Sequence, residues 1–258
     1  MNKLLIIFAL LLSSASMVVQ HQPPREAQEQ VELGLKAWRI AHFEEATQHF
    51  ERAVAIDQDF CWARLHLAGS LQAEYDYHLK SADILPKAFE YYQAAIKCDP
   101  ALTTAALRGM ASVKELMEQP AEARDFYRQL LKIEGGSEDI YGHIAAYDLQ
   151  EALANTRAEK ARLGLKPDQS LADTPACPAL RKRNLPLVED GLQMLSKAMW
   201  LHTDGYGGDQ VTASIFYRER TEIECGDPEA RKADLENARF WNDLAAKIAR
   251  KLKDASKQ

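Results

Sequence analysis

Histidine and cysteine are the residues of this 258-residue chain whose spacing could create a metal site or a nucleophile with its base. The chain contains no HExxH pair, no CxxC pair and no GxSxG turn. Its histidines are scattered along the sequence at His21, His42, His49, His66, His78, His143 and His202. We interpret them as isolated residues on solvated helices, so the sequence predicts no catalytic residue, no metal ligand and no cofactor.

A glycine-rich segment at residues 204–209, with an aspartate at each end, could in principle bind a cation or a phosphate group. A calcium-binding EF-hand loop needs further oxygen ligands at alternate positions and a distal glutamate, and a phosphate loop needs a lysine before serine or threonine. Because these residues are missing, we predict that the segment is a flexible connection between two helical hairpins.

The charge balance and the N-terminal residues bear on partner and location. The formal net charge is −6, whereas nucleic-acid-binding domains carry an excess of positive charge. No nucleic-acid partner is therefore expected. Lys3 precedes the apolar run from Leu4 to Leu12, and small residues follow, as in a secretory signal peptide. We assign residues 1–20 to this signal, with cleavage after Ala15. A retained anchor is the alternative, but the run is shorter than the roughly 20 residues that span a bilayer, so no stable membrane insertion is expected.

A helical pattern of bulky and small residues recurs along the first half of the chain, and each copy is split by a break into two helices. The residues of the pattern are Leu33, Gly34, Trp38, Phe43, Ala46, Phe50 and Ala53 in the first copy, Leu67, Ala68, Leu71, Ala88, Tyr92, Ala95, Asp99 and Pro100 in the second, and Met110, Ala111, Ala123, Tyr127, Leu130 and Ile133 in the third. One such hairpin is too small to bury its own apolar face, so the hairpins must stack on each other.

This pattern resembles the tetratricopeptide repeat (TPR), which has a period of about 34 residues, small and aromatic residues at fixed offsets and a closing proline. The resemblance is specific in the first three hairpins and weaker in the last two, which carry insertions and lack the closing proline. It implies an all-α fold in which stacked antiparallel helix hairpins form a superhelix, an α-solenoid. The expected domain spans residues 28–258, with hairpins at 28–59, 60–100, 101–136, 137–203 and 208–255.

The second half of the chain is also similar to a group of exported bacterial TPR proteins of unknown role. The residues that carry this similarity are Lys166-Pro167, Asn184-Leu185-Pro186, Tyr217-Arg218-Glu219 and Cys225-Gly226-Asp227-Pro228. The similarity implies a family and supplies no activity.

Two hairpins depart from the regular period. Between Ala68 and Ala88 the second hairpin is longer than the first, and we predict that its extra loop, with Tyr75, Tyr77 and His78, packs as a turn or contacts a ligand. In the fourth hairpin a helix is expected from Ile140 to about Leu163, a loop from Gly164 to Pro178, and a second helix from Leu187 to Leu201. A loop of this length is either functional or a buttress.

The TPR resemblance implies that the first helices of the hairpins line a concave groove. Transferred onto this chain, the groove positions are Leu35, Trp38, Arg39, Trp62, Leu65, Gln72, Arg108, Glu115, Gln150 and Arg218. Core packing is the alternative for the apolar residues, and a solvated face is the alternative for the charged ones.

We therefore predict a periplasmic scaffold, not an enzyme, that binds a protein or peptide partner in the groove. The partner's identity and the oligomeric state stay open. A solute-binding accessory of a transport system is a second hypothesis, which an enclosed apolar cavity would favour. A hydrolase in the insertions is a third, which perturbed acids or histidines beside residues 164–178 would favour.

The chain has four cysteines, and export would place them in an oxidising compartment. The antiparallel order of helices in the array brings Cys177, before one helix, beside Cys225, at the end of the next. The same argument pairs Cys61 with Cys98. Four buried thiols are the alternative to these two disulfides.

Overall fold

A computed structural model describes residues 21–201 and 208–255. The predicted signal peptide, His202 and residues 204–207 of the glycine-rich segment lie outside the described residues. Within those residues the chain forms helices and turns without a strand, which confirms the all-α prediction. The helices are α1 (Arg25–Arg39), α2 (Phe43–Ile56), α3 (Cys61–Asp76), α4 (Leu85–Cys98), α5 (Thr103–Leu116), α6 (Pro120–Glu134), α7 (Glu138–Leu163), α8 (Cys177–Leu201), α9 (Gly208–Thr221) and α10 (Pro228–Ala255). None of these helices is both long enough and apolar enough to cross a bilayer.

Each helix packs against the next along the chain, from α1 on α2 to α9 on α10. Small side chains at the repeat positions allow the close approach, since Ala46 and Ala53 of α2 and Ala88 and Ala95 of α4 are fully buried. The apolar residues form one core in the N-terminal half and a second in the C-terminal half, and side chains of α4 and α6 pack against both. The result is an array of stacked antiparallel hairpins, as in a TPR α-solenoid.

The first three hairpins share one turn geometry. Ala41, His78 and Glu118 follow α1, α3 and α5, and each has a φ angle of 58° or 59° in the left-handed region. In each turn the next residue donates its backbone N–H to a carbonyl five residues back, as from His42 to Ala37. This bond satisfies one of the last carbonyl groups of the helix. The repeat is therefore visible in backbone geometry even though glycine marks none of these turns.

The second helix of the fourth hairpin begins earlier than the sequence predicts, so that boundary was wrong. Helix α8 starts at Cys177 instead of Leu187. Pro178 lies in its first turn, where a missing N–H costs no hydrogen bond. Pro186 lies inside the helix, which continues past it because Leu180 and Val188 on either side are fully buried.

The insertion between α7 and α8, residues 164–176, packs against the end of α9. Leu171 is fully buried, and its backbone N–H donates to Glu222 Oε2 at 2.8 Å. The backbone N–H of Gly226 donates to the carbonyl of Ala172 at 3.2 Å. These contacts give the insertion the geometry of a buttress.

Both predicted disulfides are present in the structure. Cys61 at the start of α3 is bonded to Cys98 at the end of α4, with 5.5 Å between their Cα atoms. Cys177 at the start of α8 is bonded to Cys225 beyond the end of α9, with 5.6 Å between Cα atoms. The second bond joins two neighbouring hairpins and holds the end of the insertion.

Candidate functional site

Side chains from the first helices of the first four hairpins form a connected strip, which we call the first-helix surface. It consists of Trp38 and Arg39 on α1, Gln72 and Asp76 on α3, Ser112 and Glu115 on α5, and His143, Tyr147 and Gln150 on α7. Two open cavities lie along it, each with a volume of about 580 Å³.

Aromatic rings form one wall of the first cavity. The rings of Trp38 and Phe43 meet edge to face with centroids 5.1 Å apart, and Phe43 contacts Tyr77 with centroids 4.6 Å apart. Phe43 is buried, whereas Trp38 and Tyr77 remain 36% and 61% exposed. Two aromatic side chains are thus available to a partner. The cavity is lined by Trp38, Arg39, Ala41, Phe43, Gly69, Gln72, Ala73, Asp76, Tyr77 and Tyr92.

A hydrogen-bonded chain links α4, α3 and α5 beside this cavity. The phenol of Tyr92 donates to Gln72 Oε1 at 3.2 Å, and Gln72 Nε2 donates to Ser112 Oγ at 2.9 Å. Burial raises the pKa of Tyr92 well above its ordinary value, so the phenol stays a neutral donor. The chain fixes the amide of Gln72 and therefore the shape of the cavity.

The second cavity is lined by the carboxylate of Glu115, whose position is fixed by hydrogen bonds. Glu115 accepts hydrogen bonds from Tyr147 and, at 3.5 Å, from Tyr127. His143 Nδ1 lies 3.4 Å from Glu115 Oε1, and His143 Nε2 lies 3.1 Å from Asp139 Oδ1. This cavity is lined by Glu115, Glu118, Pro120, Tyr147 and Gln150.

His143 is not the isolated surface histidine that the sequence suggested. Its ring is stacked on Tyr127 with centroids 4.3 Å apart. Its hydrogen bond with Glu115 raises its pKa, while burial acts in the opposite direction and Asp139 adds to the increase. The imidazole therefore carries positive charge more readily than a free histidine and balances the two carboxylates beside it.

The structure places the ten predicted groove residues in different environments. Trp38, Arg39 and Gln72 line the first cavity, and Glu115 and Gln150 line the second. Leu35 and Leu65 are half-buried and pack against the N-terminal core. Trp62, Arg108 and Arg218 line neither cavity.

Besides the two core-packed leucines, three of these positions lie outside the cavities. Arg108 forms ion pairs with Glu134 and, at 3.0 Å, with Asp139, so it ties α5 to the α6–α7 junction. Trp62 is 53% exposed and tilts against His66. Arg218 is exposed on α9, in the fifth hairpin.

Sequence reasoning missed several residues that shape the two cavities. Asp76 at the end of α3 was not singled out, whereas Tyr77 in the longer turn was predicted to pack as a turn or to contact a ligand, and it lines the first cavity. Tyr92 is the aromatic residue of the repeat pattern in α4. That pattern did not indicate that the hydroxyl group would reach α3. His143 and Tyr147 are four residues apart on α7 and therefore share one helix face.

A cluster of buried charges joins α6, α7 and α8. Asp148 is fully buried and lies 2.8 Å from Arg124 Nη1 and 3.3 Å from Arg128 Nη2. Arg128 also pairs with Asp190 of α8 at 2.6 Å. Burial raises the pKa of Asp148 to about 7, although the arginines lower it. The carboxylate is enclosed by its partners, so we interpret the cluster as a structural tie.

Beside the insertion lies one perturbed acid, the kind of group that the hydrolase hypothesis required. Glu219 on α9 is 3% exposed, and burial raises its pKa to about 7. Its carboxylate accepts hydrogen bonds from Asn184 Nδ2 at 3.0 Å and from Thr156. A substrate has no access to this side chain in the described structure. The hydrogen-bond network connects α7, α8 and α9, so we interpret it as structural.

No protein-family model matches the chain, and no curated protein matches it. Solved structures share its fold. MamA residues 41 to the end from Desulfovibrio magneticus RS-1 has 12% sequence identity and a TM-score of 0.58, over 89% of this chain and 98% of that one. YrrB, described as a TPR protein with an unusual peptide-binding site, has 10% identity and a TM-score of 0.55, over 87% and 92%. The chain therefore has the TPR fold.

Proposed function

We propose that this chain is an exported TPR scaffold that binds an extended peptide segment of a protein partner along the first-helix surface. The observation that carries this proposal is the connected strip of exposed aromatic, amide and charged groups from α1, α3, α5 and α7, with two open cavities along it. The Gln72–Ser112 hydrogen bond joins α3 to α5, and the Glu115–Tyr147 hydrogen bond joins α5 to α7. The two cavities therefore lie on one continuous surface, and an extended segment could contact both at once.

The residue types on this surface support a peptide or protein ligand. Tryptophan, tyrosine and arginine are the residues that contribute most to binding energy at protein interfaces, and the first cavity presents Trp38, Tyr77 and Arg39. The similarity of fold to YrrB, whose description names a peptide-binding site, is consistent with the same class of ligand here.

The competing functions have weaker support. The cavities lie open along the helices, which favours a segment of chain over an enclosed small solute. The two most perturbed carboxyl groups, Asp148 and Glu219, are buried and hydrogen-bonded, so they support a structural role over hydrolysis.

We also propose that the folded domain works in the periplasm after removal of the signal peptide. Two disulfides among the described residues support an oxidising compartment, because cytosolic thiols are kept reduced. Fractionation of cells with N-terminal sequencing tests this part. A cytosolic chain that retains Met1 and has reduced cysteines would contradict it.

Site-specific photo-crosslinking in cells tests the binding surface. A photoreactive phenylalanine analogue replaces Gln150 at the second cavity or, as a matched control, Gln93, which is exposed on α4. We expect a cross-linked protein band from position 150 and none from position 93. Equal cross-linking from both positions would show that the partner has no preference for the first-helix surface, and cross-linking from position 93 alone would place the partner on another face of the array.

A further inference from the structure

The first cavity carries two opposite charges that have no ion-pair partner within the described chain. Arg39 lines it from the end of α1 and Asp76 from the end of α3. On the same two hairpins, Lys80 pairs with Glu44 at 3.4 Å and Lys87 pairs with Glu51 at 3.2 Å, whereas Arg39 and Asp76 form no such pair among the described residues. A ligand could therefore neutralise both Arg39 and Asp76 without breaking an existing ion pair.

The surroundings of Asp76 suit a basic side chain. Trp38 and Tyr77 line the same cavity and stay exposed. A cation over the face of such a ring is attracted by its negative π face, and a nearby carboxylate adds Coulomb attraction. Partial burial raises the pKa of Asp76, against a hydrogen bond with Gln72 and the charge of His78, and an added cation would favour the charged form of this carboxyl group.

Arg39 suits the opposite charge, because its guanidinium can bind a carboxylate through two parallel hydrogen bonds. In an extended segment, side chains two residues apart point to the same side. A ligand with one basic and one acidic residue at that spacing would therefore present both charges to the cavity together.

We propose that the first cavity selects a bipolar part of the peptide, with a lysine or arginine against Asp76, Trp38 and Tyr77 and an aspartate or glutamate against Arg39. This selectivity rests on the peptide-binding function proposed above and adds the chemistry of the segment that is bound.

Libraries of short synthetic peptides test the proposal with the full mature chain. The peptides are blocked at both ends and random except for two fixed positions, separated by one residue, that hold Lys and Glu in either order, Lys twice, Glu twice or Ala twice. We expect one mixed-charge library to bind roughly tenfold more tightly than the like-charge and alanine libraries, a difference of about 1.4 kcal/mol that two exposed charge pairs can supply.

Variants assign each charge. Asp76→Asn should abolish the preference for Lys, and Arg39→Gln should abolish the preference for Glu. The matched controls Glu90→Gln and Arg52→Gln, at exposed positions of α4 and α2, make the same charge changes and should keep both preferences. The double exchange of Arg39→Glu with Asp76→Lys should invert the preferred order of the two charges.

The possible results separate this inference from the function on which it rests. Equal binding of all libraries, tightest binding of the alanine library, or a preference that survives Asp76→Asn and Arg39→Gln would overturn the charge selectivity and leave peptide binding standing. Absence of binding by every library would overturn both.

Discussion

The ring of Tyr92 on α4 lies directly against Gly109 on α5, so that a Cβ atom at position 109 would stand 2.1 Å from Cζ of the ring. The glycine thus makes the space in which the phenol reaches Gln72 on α3. One missing side chain on α5 therefore sets the position of a hydroxyl group that shapes the first cavity.

We expect Gly109→Ala to destabilise the fold by about 1–3 kcal/mol, since the overlap forces the ring or the α4–α5 spacing to shift. Gly142→Ala on α7 is the matched control, because a Cβ there meets no atom within 4 Å. Alanine is the better helix former, so the control should gain up to about 1 kcal/mol. Urea unfolding measures both, and a stable Gly109→Ala variant would contradict the packing described.

Opening either disulfide should lower stability. The bonds close sequence separations of 48 and 37 residues, and chain entropy gives an upper figure of about 4 kcal/mol for each. We expect Cys177→Ser with Cys225→Ser also to expose the insertion to proteases, because that bond holds its end against α9. Thermal unfolding and limited proteolysis measure the two effects. Mass spectrometry of the unreduced protein that finds Cys98 linked to Cys177 would refute the pairing.

Stability should depend on pH through Glu219. Its folded pKa of about 7 is above its ordinary value of 4.5, so the folded state holds a proton that the unfolded state has lost between these values. The contribution of this group to the free energy of unfolding is fully present below pH 4.5 and is lost as pH rises to about 7. The change is on the order of 3 kcal/mol.

Glu219→Gln should therefore be more stable than the wild type at pH 8 and should lose this part of the pH dependence. Glu90→Gln makes the same charge change at an exposed position and serves as the control. Urea unfolding across the pH range measures the difference. An unchanged pH dependence in Glu219→Gln would show that the carboxyl group ionises without penalty.

Two arginines should differ in their importance for stability. Arg124 is 15% exposed beside the fully buried Asp148, whereas Arg108 is 40% exposed beside two surface carboxylates. Arg124→Met should cost roughly 3–5 kcal/mol, because it removes a partner from a buried charge. Arg108→Met should cost less than about 1 kcal/mol. Equal shifts of the urea midpoint would show that the buried cluster does not stabilise the fold.

The sequence by itself determined the helical hairpins and their need to stack, and it favoured the pairing of the four cysteines that the structure shows. These features depend on local periodicity and on the order of antiparallel helices, both of which can be read from residue spacing. The expectation for α8 failed because the sequence pattern placed the start of this helix only at Leu187, whereas the burial of residues on both sides of Pro186 maintains the helix from Cys177.

Only the tertiary structure decided which side chains meet on the first-helix surface. Gln72 and Ser112 are 40 residues apart in sequence, and Glu115 and Tyr147 are 32 residues apart. Helical periodicity specifies the face on which each residue lies, but contact between faces depends on how neighbouring hairpins are offset when they pack. That offset is set by side-chain volumes such as those of Tyr92 and Gly109, so the pairing of Tyr92 with Gln72 and of His143 with Glu115 could be found only in the packed array.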